Sequence, residues 1–195
     1  SGGIIVPGYY LGIDQGTTLT TVLLADENWQ IVAKASKAHR QYYPKPGWVE
    51  HDPVEIYENC LSATAEALSQ ISGASAKDII FMGLDHQGET CLIWNKDTGE
   101  PIYNAIVWQD RRTADVADKL KQEHGKQIHQ ITGMLPDAYH SVTKLNWILD
   151  NVEGARELAE RGKLLAGTLN TWLFWKLTKG QVYKTDACSA NRVML

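Results

Sequence analysis

Apolar, β-favouring runs separated by polar turns dominate the first forty positions. Tyr9 to Asp14, Leu19 to Ala25 and Trp29 to Ala38 are set apart by Gly16-Thr17-Thr18 and Asp26-Glu27-Asn28, a pattern that predicts three strands joined by two tight turns. After the loop Tyr43-Pro44-Lys45-Pro46-Gly47-Trp48 the period changes. Asp52 is placed to cap a helix, Pro53 suits its first position, and Ile56, Cys60, Leu61, Ala65 and Leu68 fall on one face. Asp78 to Leu84 reads as a buried strand, Asp85-His86-Gln87-Gly88-Glu89 as a polar turn, and Cys91 to Trp94 as a return strand. A further turn at Asp97-Thr98-Gly99-Glu100-Pro101 precedes a short run at 105–108, and helices are predicted over 112–123, 125–131, 142–150, 153–161 and 168–178. This order of strands, helix, strands and helices specifies an α/β domain.

Composition narrows the class. The 195 residues are 44% hydrophobic, enough for one good core, as one domain or as a large piece of a two-domain protein. The net charge of -4, with both signs interspersed, forms no basic stripe, so nucleic acid is not the expected partner. The longest apolar runs fall far short of the roughly 20 residues that cross a bilayer, and no membrane partner is expected. Cys60, Cys91 and Cys188 lack both zinc spacing and the density of a disulfide scaffold, so buried free thiols in the cytoplasm are the expectation. Residues 1–8 read as a cloning remnant, Ser1-Gly2-Gly3, followed by a disordered lead, with no signal peptide. The close at Arg192-Val193-Met194-Leu195, directly after a structured segment, leads us to expect that the domain over 9–195 continues further.

Candidate chemistry begins at Leu11-Gly12-Ile13-Asp14-Gln15-Gly16-Thr17-Thr18. A strand ending in a carboxylate and turning through glycine leaves amides and hydroxyls to hold phosphoryl oxygens, and a carboxylate to hold Mg²⁺ or its waters. An ordinary hairpin accounts for the same residues equally well. Neither the Walker spacing nor G-x-G-x-x-G is present. Read alone, Glu89 fits a solvated turn as well as a ligand, and Trp108 and Tyr139 fit core aromatics. His51, His86 and His140 have neither nucleophile nor zinc spacing around them and are assigned structural roles. Asp110, ahead of Arg111 and Arg112, is read first as a helix cap, with a bracing role for the arginines as the alternative.

Several separated strings carry a family resemblance. The hairpin with Asp14-Gln15-Gly16-Thr17-Thr18, in βββαβ order, resembles the opening of the actin and hexokinase superfamily. Tyr43 to Pro53 and Pro101 to Gln109 resemble glycerol kinases almost letter for letter, and Tyr139 to Asn151 fits the first signature of the FGGY family of carbohydrate kinases. The resemblance implies an actin/hexokinase-like (ribonuclease H-like) fold, a mixed sheet flanked by helices, forming the N-terminal half of a two-domain kinase. It implies transfer of the ATP γ-phosphate to a primary hydroxyl of glycerol or a larger polyol or sugar, in a cleft between two domains, a reaction that rests on positioning and charge stabilisation. By that analogy Asp14 helps place Mg²⁺, and Gly16, Thr17 and Thr18, with Gln15, lie near the phosphate. Gly88 and Glu89 form the substrate loop, Trp108 forms an apolar wall, and Tyr139 contacts another hydroxyl. No catalytic base is expected in this segment. That aspartate and the adenine pocket belong to the C-terminal domain, which is absent here and is the expected partner, so the fragment alone is expected to be inactive. Relatives also assemble as dimers or tetramers, which makes a homo-oligomer an open expectation.

Two departures bear on specificity. Glycerol kinases carry an arginine three residues after the second threonine, where this chain has Thr21. Their Asn-Gln-Arg-Glu becomes His86-Gln87-Gly88-Glu89, which removes five donors and opens volume beside Glu89. That change points towards a larger polyol or sugar, while the loss at Thr21 suits a second reading, a non-catalytic sugar-binding or regulatory relative.

Overall fold

The computed structural model describes residues 8–194; the lead read at the start of the chain lies, but for Gly8, outside the described residues. The chain forms two compact units. Unit 1 takes in the chain up to Arg40 together with Val54–His86, and unit 2 takes in Gln41–Pro53 and the chain from Gln87 onward.

In unit 1 the predicted strands appear as β1 (Tyr9–Gln15), β2 (Leu19–Ala25) and β3 (Ile31–Ala38). β3 starts later than predicted, because Trp29 has a positive φ of 61° and belongs to the turn. Asp26 closes that turn by accepting from the backbone N–H groups of Asn28 (2.9 Å) and Gln30 (3.0 Å), a common use of Asp at turns. The sheet runs β3-β2-β1-β5, with β5 (Ile79–His86) parallel to β1. Helix α1 (Pro53–Ser69) begins at the expected proline. From α1, Asn59 Nδ2 donates to Ala38 O (3.1 Å) and Glu66 pairs with Lys37; just after it, Gln70 bonds both backbone groups of Lys34 (2.7 and 3.2 Å). These bonds hold the helix along β3. Its buried residues are Pro53, Ile56, Cys60, Ala63, Ala67 and Leu68, while Leu61 and Ala65 are exposed. The stripe therefore lies about one position around from the predicted one, set by which face meets the alternating Val22, Leu24, Ala33 and Ala35.

β5 corrects the expectation of a buried strand. It lies at an edge of the described sheet, and Ile80 and Phe81 are exposed. Nor does Cys91 to Trp94 return beside it. That run is β6 (Cys91–Asn95), in the separate sheet of unit 2, ordered β4-β7-β6-β8, with β4 (Glu50–His51), β7 (Ala105–Ile106) and β8 (Leu164–Thr168). β8 was not predicted; its five residues, a short apolar run, cannot be told from a helical segment by periodicity. The helices 112–123 and 125–131 are one helix, α2 (Ala114–Thr132), which runs through Gly125 and ends at Gly133 with φ 74°. α3 (Ser141–Asn151), α4 (Ala155–Glu160), α5 (Leu169–Leu177) and α6 (Ala187–Val193) complete the unit. Its core joins Cys91, Ile93, Ile106, Leu145, Ile148 and Val193, and a cluster of Trp94, Trp172, Trp175 and Tyr183 lies beside it.

Asp110 does not cap α2. It is fully buried, accepts from Val49 N (2.7 Å), and pairs with Arg112 Nη2 (2.8 Å). Arg112 also pairs with Glu50 (2.7 Å), which accepts from Tyr103 Oη (2.6 Å) and Asn104 Nδ2 (3.0 Å). The guanidinium lies 3.8 Å from the Trp48 ring centre and 4.5 Å from that of Trp147. Burial works against its charge, yet the hydrogen bonds to Asp110 and Glu50 outweigh it and raise the Arg112 pKa above its usual value. The motif thus replaces the expected cap with a buried ion-pair cluster inside unit 2, in which Trp48, Val49 and Glu50 all take part.

Candidate functional site

The site residues fall into two groups, one in each unit. In unit 1 the hairpin between β1 and β2 is closed by Gly16 N donating to Leu19 O (2.9 Å), and Thr18 O accepts from His39 N (3.3 Å). Asp14 and Thr18 are exposed at its end, and Gly16 and Thr17 are partly so. Gln15 is fully buried beneath the turn, and its Nε2 donates to Gly16 O (2.8 Å); alternation of side chains along β1 sends it to the opposite face from Asp14.

On that open face Asp14 sits in register with Thr21 of β2 and Asp85 of β5. Ser36, in register with Thr21, shares a hydrogen bond with its hydroxyl (3.0 Å). One row of the sheet therefore reads Ser36, Thr21, Asp14, Asp85. The neighbouring in-register pair is Gly12 and Gly83, where an added Cβ would meet nothing within 4 Å, so two bare glycines leave space over the sheet beside two carboxylates. Hard oxygen donors in that number fit Mg²⁺, which is commonly held by one or two carboxylates together with substrate phosphates. Among the described residues no group of three or more His, Cys, Asp or Glu side chains could hold a metal ion by itself. Asp85 was read in the sequence as a turn residue; only the parallel register places it level with Asp14.

In unit 2, Glu89, Trp108 and Tyr139 come together. The Trp108 and Tyr139 rings meet edge to face at 5.7 Å. Glu89 keeps 3% of its side chain exposed and is paired with Arg192 Nε. Arg192 Nη2 donates to Tyr139 Oη (3.3 Å), with the guanidinium 5.3 Å from the Tyr139 ring centre. The Glu89 carboxylate first, and then the Tyr139 hydroxyl, push the Arg192 pKa above its already high value. Burial and the neighbouring Glu89 raise that of Tyr139, so its hydroxyl stays protonated. Gly88, with φ 85° and nothing within 4 Å of an added Cβ, leaves room beside Glu89.

A second set of residues holds this group. Thr90 Oγ1 accepts from Trp108 N (3.1 Å) and donates to Gln87 Oε1 (2.8 Å). Ser141 Oγ donates to Glu89 O (2.7 Å). Lys144 is fully buried, and its Nζ donates to Tyr139 O (3.0 Å) and Trp108 O (3.4 Å), tying both aromatic segments to α3; burial lowers its pKa. His140 Nδ1 hydrogen-bonds Arg192 O (3.2 Å), a structural use in keeping with the sequence reading. Sequence reasoning missed Arg192. The nearest local signal is Asp186, which caps α6 by accepting from Ser189 N (2.8 Å) and marks a helix whose last turn carries the arginine.

The order of strands and helices, with the β1–β2 hairpin and the Glu89–Trp108–Tyr139 group placed as described, is that of the N-terminal half of an actin/hexokinase-like fold. The chain belongs to the FGGY family of carbohydrate kinases: the model for the N-terminal domain of that family matches residues 9–195. It is 50% identical to glycerol kinase 2 of Thermotoga maritima and 52% identical to glycerol kinase of Ligilactobacillus salivarius, each over 188 residues and 96% of this chain. It spans 38% and 37% of the length of those relatives. Among solved structures, Plasmodium falciparum glycerol kinase with ADP superposes with a TM-score of 0.90 at 34% identity, covering 97% of this chain and 38% of that one.

Proposed function

We propose that this chain supplies the substrate-binding part of an ATP-dependent kinase that transfers the γ-phosphate to a primary hydroxyl of glycerol or of a larger polyol or sugar. The observation that carries this reading is the buried Glu89 carboxylate facing Tyr139 and Arg192 beside the Trp108 ring. A buried acceptor flanked by donors and an apolar wall recognises hydroxyls on a carbon chain.

The hairpin of unit 1 is the phosphate-facing element of this proposal. Gly16, Thr17 and Thr18 offer backbone and hydroxyl donors to phosphoryl oxygens, and Asp14 with Asp85 would hold Mg²⁺ or its waters. When bound, that ion neutralises charge on the transferred group. Gln15 shapes the turn from below. ATP, Mg²⁺, a further domain of the same protein carrying the base and the adenine pocket, assembly as a homo-oligomer, and a cytoplasmic setting are parts of the same proposal. Among the described residues no helix is long and apolar enough to cross a membrane.

The test is a coupled phosphorylation assay on the full-length protein with ATP and Mg²⁺, against glycerol, erythritol, ribitol, xylitol and several ketoses. We expect turnover of at least one, with kcat/KM lowered roughly 100-fold or more by Glu89→Ala, since hydrogen bonds to a charged group contribute about 1.5–3 kcal/mol each. Absence of turnover with every member of the panel rejects the proposal.

A further inference from the structure

We propose that Arg192 is a specificity-determining residue of the hydroxyl pocket, donating to a substrate hydroxyl while it holds Glu89 in place. The inference rests on the reading of the site given under Proposed function. An alcohol both donates and accepts. Glu89 as a carboxylate can take a hydroxyl proton, but it offers nothing to the oxygen lone pairs of the same substrate. The complementary partner is a donor on the same side of the pocket, and two cations stand near it.

Lys144 is buried and its Nζ is directed at the carbonyl oxygens of Trp108 and Tyr139; its donors serve the protein backbone. Arg192 differs. Its side chain is 43% exposed against 3% for Glu89, so its inner edge meets the carboxylate while the outer edge faces outward. Nε is used on Glu89 and Nη2 on Tyr139 Oη, and Nη1 makes no hydrogen bond to any described residue. A planar guanidinium held by two of its nitrogens has its remaining donors aimed in a fixed direction, which a lysine at the same position would not.

The helix that carries Arg192 is pinned at both ends. At its start Asp186 caps α6 and accepts from Asn170 Nδ2 (3.1 Å). At its end Val193 joins the core of unit 2 and His140 Nδ1 holds Arg192 O (3.2 Å). Gly88 adds no side chain that would occupy the space beside Glu89. The pocket thus presents one acceptor and one donor side by side, matched to neighbouring hydroxyls of a polyol.

The experiment compares full-length wild-type protein with Arg192→Met and Arg192→Lys, using the best substrate among glycerol, erythritol, ribitol and xylitol and that polyol with one hydroxyl replaced by hydrogen. In Arg192→Met we expect KM to rise roughly 10- to 100-fold with a smaller change in kcat, the scale of one charge-assisted hydrogen bond. The penalty for the missing hydroxyl, large in the wild type at one carbon, should shrink in the variant, and guanidinium ion added to the assay should restore part of the activity. Should Arg192→Met fold poorly, Arg192→Lys, which keeps the charge, carries the same comparison. Unchanged KM, or an equal loss on polyol and deoxy analogue with no rescue, would overturn the proposal and leave Arg192 a structural counter-ion. If the wild type phosphorylates nothing, the kinase reading fails separately. Calorimetric binding of the same polyols then decides Arg192: weaker binding by the variant supports it, and equal or absent binding overturns it.

Discussion

At the scale of single residues, environment rather than identity sets reactivity. Cys91 is fully buried in the core of unit 2, and burial pushes its thiol up to about 12; Cys60, on the buried face of α1, is pushed up to about 11. Cys188 is exposed, which corrects the expectation that all three thiols are buried. Because the thiolate is the reactive form, brief treatment of the folded protein with iodoacetamide at pH 8 should alkylate Cys188 and spare Cys60 and Cys91 until denaturant is added. Peptide mapping reads the result directly. Early labelling of Cys91 would mean that β6 is not packed as described. The same dependence on surroundings divides the carboxylates: Glu89 and Glu50 are both buried beside an arginine, yet Glu50 pairs with a fully buried Arg112 and accepts from Tyr103 and Asn104, whereas the Arg192 paired with Glu89 keeps 43% of its side chain exposed.

Among the elements, β4, β7 and the start of α2 depend on one ion-pair cluster. Arg112 has no exposed side-chain surface, pairs with Glu50 and Asp110, and is stacked on Trp48 and Trp147. Removing one partner of a buried pair leaves charge without compensation and typically costs about 3–5 kcal/mol. Arg112→Met should therefore lower stability by about that amount, measured by urea unfolding, and the loss should be smaller when Glu50→Gln and Asp110→Asn are made with it. A loss under about 1 kcal/mol would show that the stacked aromatics carry this region alone. The element predictions from sequence failed where a local pattern had two solutions. Two helices were predicted over 112–123 and 125–131, but α2 is continuous through Gly125, where an added Cβ would sit in ordinary contact, 3.6 Å from Lys121 Cγ and 3.8 Å from Leu135 Cδ2. β5 read as buried because its residues are apolar, yet its place at the described sheet edge leaves Phe81 open.

For the molecule as a whole, the net charge of -4 says less about pH dependence than one buried group. His39 is buried at the end of β3's strand pair, and burial lowers its pKa below 6.5, with Glu55 and the Thr17 backbone opposing. Between that lowered value and 6.5 the unfolded chain binds more protons than the folded one, so stability rises with pH across this window. It is present in full above 6.5 and is lost as pH falls through the folded value. Chemical denaturation from pH 7.5 down to 4.5 should show this slope, and His39→Gln should flatten it; an unchanged slope would assign the acid sensitivity to other groups. Family membership also belongs to this scale. It rests on a match over residues 9–195, in a chain that spans 38% of the length of a relative such as glycerol kinase 2 of Thermotoga maritima.

Short windows of sequence determined the three-strand opening, the start of α1 at Pro53, the α/β class and the family, because turn chemistry, hydrophobic period and long residue strings are all local. They also exposed Glu89, Trp108 and Tyr139 as candidates. Tertiary structure alone decided which partners those residues meet. Arg192 reaches Glu89 across 103 positions and Asp110 reaches Val49 across 61, and the parallel register of β1 with β5 sets Asp85 level with Asp14. No periodicity or cap encodes such pairs. They follow from how separate elements pack, since the free energy of burying a charge depends on which opposite charge the fold brings to it.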